Sequence, residues 1–167
     1  MKNSKSIIIT LAIVAFLALV VIVFSVNNNQ NNEEVPGDEN YTKLELKHMT
    51  EDDIEEPKDG KLNVYFFWGS GCPHCEKLMQ ALNDGVKTYG KYYNLYTLEV
   101  WENDSNYSLM KKVAKHFGDD KDLGLPYIII GDQRFSGFMY SDKDDIEKAI
   151  VDEYNSKPQF NIFDELY

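Results

Sequence analysis

A nearly continuous apolar and aromatic run, Leu62 to Trp68, breaks at Gly69-Ser70-Gly71, and an amphipathic helical pattern takes over immediately afterwards. A run of that kind is expected of a central strand covered on both faces. Pro73 suits the first turn of the helix, where its missing N–H is no loss. Apolar residues then recur at Cys75, Leu78, Met79, Leu82, Val86 and Tyr89, the spacing of one buried helical face. Asn94 to Trp101 reads as the next strand. Strand, helix, strand in this order predicts a right-handed parallel crossover, hence an α/β domain with a central sheet flanked by helices.

The rest of the domain fills in around that unit. Thr42 to Lys47 alternates strictly and suits a half-buried edge strand. Thr50 to Glu56 has room for one helical turn before Pro57. Tyr107 to Phe117 offers a second helix, with Leu109, Met110, Val113, Ala114 and Phe117 on or near one face and Gly118 to end it. Pro126 opens a strand, Tyr127 to Ile130, which turns at Gly131-Asp132 into Gln133 to Ser136 as an antiparallel hairpin, so the sheet is expected to be mixed. Ser141 and Asp144 resemble a capping box opening a last helix through Ile146, Ala149, Ile150 and Tyr154, closed by Pro158. The aromatic tail, Gln159 to Tyr167, should dock at a place the pattern does not name.

The other end of the chain is of a different character. Residues 7–26 form a run of twenty positions whose only polar members are Thr10 and Ser25, long enough as a helix to cross the roughly 30 Å hydrocarbon layer. A cleaved signal peptide is the competing reading, but its apolar region is normally only about 7–15 residues long. A lipoprotein is disfavoured because no cysteine ends the run. Lys2 and Lys5 precede it and nothing basic follows closely, which puts residues 1–6 in the cytoplasm and the rest outside. Residues 27–40, rich in Asn, Gln and Glu, bury too little to offset their ordering entropy and read as a tether. The expected layout is a cytoplasmic N-terminus at 1–6, one transmembrane helix at 7–26, a tether at 27–40 and an extracytoplasmic domain at 41–167.

Of 17 basic and 28 acidic residues, only Lys2 and Lys5 lie on the cytoplasmic side. A domain this acidic repels nucleic acid and anionic headgroups, so the charge argues for solubility outside the membrane. A monomer in the membrane of a bacterium, with one membrane and an AT-rich genome, is the expectation that the anchor and the frequent Asn, Lys, Ile and Tyr support.

Chemistry concentrates in Cys72-Pro73-His74-Cys75, placed between the strand and the helix. A sulfur at a helix N-terminus faces unpaired N–H groups and the positive end of the macrodipole, which favour thiolate over thiol. Cys72 is therefore the candidate reactive thiol. Cys75, one turn in and on the apolar face, is shielded and suited to resolving a mixed disulfide at Cys72. His74 adds a donor and, when protonated, a positive charge that stabilises the thiolate further. A stabilised thiolate leaves more readily, so such a pair tends to hand its disulfide on to substrates. Two other readings are weaker. A zinc knuckle wants four ligands, and two cysteines with scattered His48, His74 and His116 make a poor set. A purely structural disulfide across so short a loop restricts the unfolded chain little.

From about Leu62 to Tyr154 the pattern resembles the thioredoxin superfamily: the strand Val64 to Trp68, Cys-Pro-His-Cys at a helix start, and Leu125-Pro126-Tyr127 before a hairpin. The resemblance implies a thioredoxin-like fold, a cis proline at Pro126 lying against the disulfide, and a backbone contact from Leu125 to substrate. Trp68, at the strand end, is a candidate wall of that groove. The Pro-His dipeptide is that of DsbA-type thiol oxidases, whereas thioredoxin carries Gly-Pro and disulfide isomerases often Gly-His. The stretch between Trp101 and Pro126 is too short for the helical subdomain of DsbA, so the body looks thioredoxin-sized. Family members also often keep a buried carboxylate six residues before the first cysteine; here that position is Phe66, which leaves water or another acid such as Glu99 to deprotonate Cys75.

The expected function is oxidation of cysteines in exported proteins by disulfide exchange, with no metal and no cofactor beyond the Cys72–Cys75 disulfide. A reductase serving cytochrome maturation or disulfide repair is the alternative, and a redox-silent binding or chaperone module a third. With only two cysteines in the chain, electrons must leave through a membrane or extracellular redox partner.

Overall fold

The computed structural model describes residues 41–121, 123–156 and 160–166. The expected anchor at 7–26 and tether at 27–40 lie outside these, as does Pro158. Among the described residues no helix is long and apolar enough to cross a membrane.

Strand β1, Leu62–Trp68, is buried along its whole length. It pairs in parallel with β2, Tyr93–Glu99, across helix α1, Pro73–Tyr89, in the expected strand, helix, strand order. After helix α2, Asp104–Phe117, the hairpin β3, Tyr127–Ile130, and β4, Gln133–Ser136, adds antiparallel to the other edge of β1. The four-stranded mixed sheet has the order β2-β1-β3-β4. Helix α3, Lys143–Asn155, and a short α4, Ile162–Glu165, follow.

The absence of alternation in β1 follows from the two cores it separates. Val64, Phe66 and Trp68 face Leu78 and Leu82 of α1 and Ile146 and Ile150 of α3. Tyr65 and Phe67 face Leu109, Met110 and Val113 of α2, with Phe160 and Ile162 from the tail. Covering each of these large side chains contributes about 1.5–3 kcal/mol, so both faces must be apolar. The tail thus docks on the second core, with Phe160 edge-on to Tyr65 and tilted against Phe117.

Three local expectations need correction. Residues 42–47 form no strand. Leu44 and Leu46 do pack on the core, but the Leu44 N–H and carbonyl bond the Asn83 side chain at 2.8 and 2.9 Å. Lys47 is held in the same way by the Thr97 hydroxyl. Side chains satisfy the backbone that a neighbouring strand would otherwise have satisfied, and the only ladder contact is a single bridge from Met49 to Leu98. Helix α2 starts at Asp104, before the expected Tyr107, because the Asn103 side chain accepts the Asn106 N–H at 3.0 Å. The Ser141–Asp144 capping box does not form either. A 3-10 turn, Tyr140–Asp142, leads into α3, and Asp142 accepts the Met139 N–H.

Candidate active site

The turn after β1 delivers the motif to the start of α1. Gly71 takes φ +75°, a left-handed conformation that a side chain disfavours. The Cys72 N–H reaches back to the Gly69 carbonyl at 3.0 Å. Cys72 is the N-cap residue of α1, Pro73 its first residue, and the Cys72 Sγ accepts the Cys75 N–H at 3.2 Å. Cys72 and Cys75 are joined in a disulfide with their Cα atoms 5.3 Å apart. Cys75 is fully buried and Cys72 is 5% exposed, whereas Pro73 and His74 are exposed. Both cysteines belong to the apolar cluster that also holds Phe66 and Leu78, with Cys72 at the helix end and Cys75 one turn in.

The Leu125–Pro126 peptide bond is cis. Pro126 is buried and leads directly into β3, beside β1 in the sheet. Leu125 and His74 line one cleft together with Gly137, Phe138, Met139 and Asp142. The segment after β4 links these parts: the Gly137 N–H donates to the Pro126 carbonyl at 2.8 Å, and His74 Nδ1 lies 2.9 Å from the Phe138 carbonyl. A carbonyl only accepts, so Nδ1 carries the proton and Nε2 is the free nitrogen of the ring.

Trp68 is 6% exposed and packs in the cluster that contains both cysteines. Among the described residues its Nε1 has no hydrogen-bond partner, and its ring meets His48 edge-on at 5.1 Å. The exposed indole at this end of the sheet is Trp101, 60% exposed. Trp101 lies flat over Gly69: a Cβ there would come within 2.2 Å of the ring. Its signal in the sequence was a tryptophan at the very end of a strand pattern, past the point where the core needed one.

Glu99 is buried at the end of β2. Its carboxylate accepts backbone N–H bonds from Ser70 at 3.0 Å, Trp101 at 2.9 Å and Glu102 at 2.8 Å. Burial pushes its pKa up, but these bonds and the charge of His48 outweigh it, and the group is held below the usual carboxylate range. Glu99 therefore pins the turn that carries Cys72 to the turn that carries Trp101, and its oxygens are occupied by that task. Among the described residues no group of His, Cys, Asp and Glu side chains is arranged to hold a metal ion.

Fold and site together define a thioredoxin-like α/β domain: parallel strand-helix-strand, antiparallel hairpin and closing helix, with a disulfide at the first helix and a cis proline before the hairpin. No protein-family model matches the chain, and no curated protein matches it. Eighteen chains of solved structure do. One is described as a putative thiol:disulfide interchange protein, DsbE, of Chlorobium tepidum, with 16% identity and a TM-score of 0.42 over 57% of this chain and 82% of that one. Another is a thioredoxin-like protein of Clostridium perfringens, at 19% identity and a TM-score of 0.44 over 62% and 80%. A third is a glutaredoxin of Archaeoglobus fulgidus, at 20% and 0.37 over 52% and 84%.

Proposed function

We propose that this chain is an extracytoplasmic thiol–disulfide oxidoreductase that oxidises cysteines of exported proteins. The observation that carries the reading is a disulfide whose first sulfur caps the N-terminus of α1 while its second is enclosed in the core. A substrate thiolate attacks Cys72 Sγ, the Cys72–Cys75 bond breaks, and Cys75 leaves as a thiolate that takes up a proton. A second substrate thiolate then attacks the substrate sulfur of the mixed disulfide and releases the Cys72 thiolate. The substrate loses two electrons and the protein gains them. Helix N–H groups and the macrodipole stabilise the departing thiolate at Cys72, which favours transfer of the disulfide outward.

Pro73 fixes the start of the helix, and Leu125 with Pro126 supplies the edge along which an extended substrate segment lies. Trp68 packs in the same apolar cluster as both cysteines. No cofactor is required beyond the disulfide, and a membrane or extracellular oxidant resets it. Residues 7–26 anchor the protein as a single pass, with the domain outside the cell membrane.

Trapping tests the reading. In Cys75→Ser, Cys72 has no resolving neighbour, so mixed disulfides with exported proteins should accumulate and be released by dithiothreitol. Cys72→Ser should trap none, and accumulation there instead would reverse the two roles.

A further inference from the structure

The peptide unit between Phe138 and Met139 is gripped from both sides. Its carbonyl meets His74 Nδ1 at 2.9 Å, and its N–H donates to Asp142 Oδ2 at 2.8 Å. The Asp142 N–H returns to the Met139 carbonyl at 2.9 Å, which closes the turn around the carboxylate. The loop is fixed at its other points as well. The Gly137 N–H is bonded to the Pro126 carbonyl, with φ +77° at Gly137, and the Phe138 side chain is buried in the cluster that holds both cysteines.

The result is a continuous chain: carboxylate, peptide N–H, peptide carbonyl, imidazole. Hydrogen bonds in series polarise one another. A negative charge on the N–H side of a peptide makes its carbonyl a stronger acceptor, and a charged ring donates to that carbonyl more strongly than a neutral one.

We propose that Asp142 is a positioning residue of the redox centre, which sets the proton on His74 Nδ1 and the orientation of the ring through the Phe138–Met139 peptide. This rests on the disulfide-exchange reading of the same site. When the disulfide is reduced, two electrons and two protons enter. One proton goes to Cys75, and the other lodges on His74 Nε2, leaving Cys72 as thiolate two residues away at the start of α1. A ring turned loose from the carbonyl no longer keeps Nε2 in one place beside the first turn of α1, so the reduced state is less favoured and the disulfide is a weaker oxidant.

The test uses the full chain with ¹⁵N-labelled histidine, and three histidines keep the spectra tractable. In the wild type, neutral His74 should carry its proton on Nδ1. Asp142→Ala should give a mixture of tautomers and lower the equilibrium constant for oxidising glutathione about tenfold, about 30 mV for two electrons. Asp142→Asn still offers an oxygen to the Met139 N–H, so it should keep the Nδ1 tautomer and fall between the two. A wild-type ring protonated on Nε2 overturns the proposal without any variant. So does Asp142→Ala with wild-type tautomer and equilibrium, or Asp142→Asn indistinguishable from Asp142→Ala. If the wild-type disulfide does not exchange with glutathione at all, the oxidoreductase reading fails, and the tautomer spectra still judge the link from Asp142 to His74.

Discussion

Glu99 has its charge met by backbone: three N–H groups converge on one buried carboxylate. A group whose folded pKa is depressed contributes stability that is fully present above its unfolded pKa and is lost as pH falls through the folded value. For Glu99 that loss begins below about 4.5. Gln at this position puts an amide NH₂ against one of the N–H donors, so Glu99→Gln should cost about 1–3 kcal/mol at pH 7. Urea denaturation from pH 7 to pH 3 should also show a shallower acid limb for the variant than for the wild type. An unchanged midpoint at pH 7 would contradict the role assigned to this carboxylate. At this scale the sequence was readable where chemistry is local. The Cys72-Pro73-His74-Cys75 motif is recognisable from its neighbours alone, whereas the cis bond at Pro126 is implied only by the resemblance to the thioredoxin superfamily. The sequence offers Glu99 only as an acid for Cys75; its hold on two turns, like the place of Asp142, is not legible, because each acts through a turn whose shape no short pattern states.

Elements were legible in proportion to how far burial alone decides them. β1 has the expected limits, Leu62–Trp68, because both of its faces are covered and the apolar run cannot be read any other way. The segment at 42–47 shows the converse. Its alternation reports which side chains are buried, but a strand also needs backbone partners, and Asn83 and Thr97 supply side chains instead. The start of α2 likewise depends on one cap. Asn103→Ala leaves the Asn106 N–H without its acceptor and should cost about 1 kcal/mol by chemical denaturation. Because α2 packs on the face of the sheet away from the cysteines, the same variant should keep wild-type rates of disulfide exchange. A loss of exchange with no loss of stability would mean that α2 reaches the site, and the Asn106 side-chain bond to the Glu99 carbonyl at 2.9 Å is the route it would take.

At the scale of the molecule, two cores among the described residues share one sheet, and the redox pair belongs to only one of them. Helices α1 and α3 enclose Cys75 on one face, while α2 and the tail residues Phe160 and Ile162 close the other. The tail's docking place was invisible beforehand because Phe160 fits a core built from Tyr65 and Phe117, which are far from it in sequence. The division leaves the Cys72–Cys75 disulfide at the end of the sheet near α1's N-terminus. Equilibration of the full chain with glutathione buffers of known ratio is the most direct measurement of what that end does. The account predicts a Cys72–Cys75 disulfide that exchanges freely, with a reduction potential nearer the roughly −120 mV of DsbA than the about −270 mV of thioredoxin. A value near the latter would reverse the direction of electron flow, and a disulfide that never exchanges would contradict the enzyme itself.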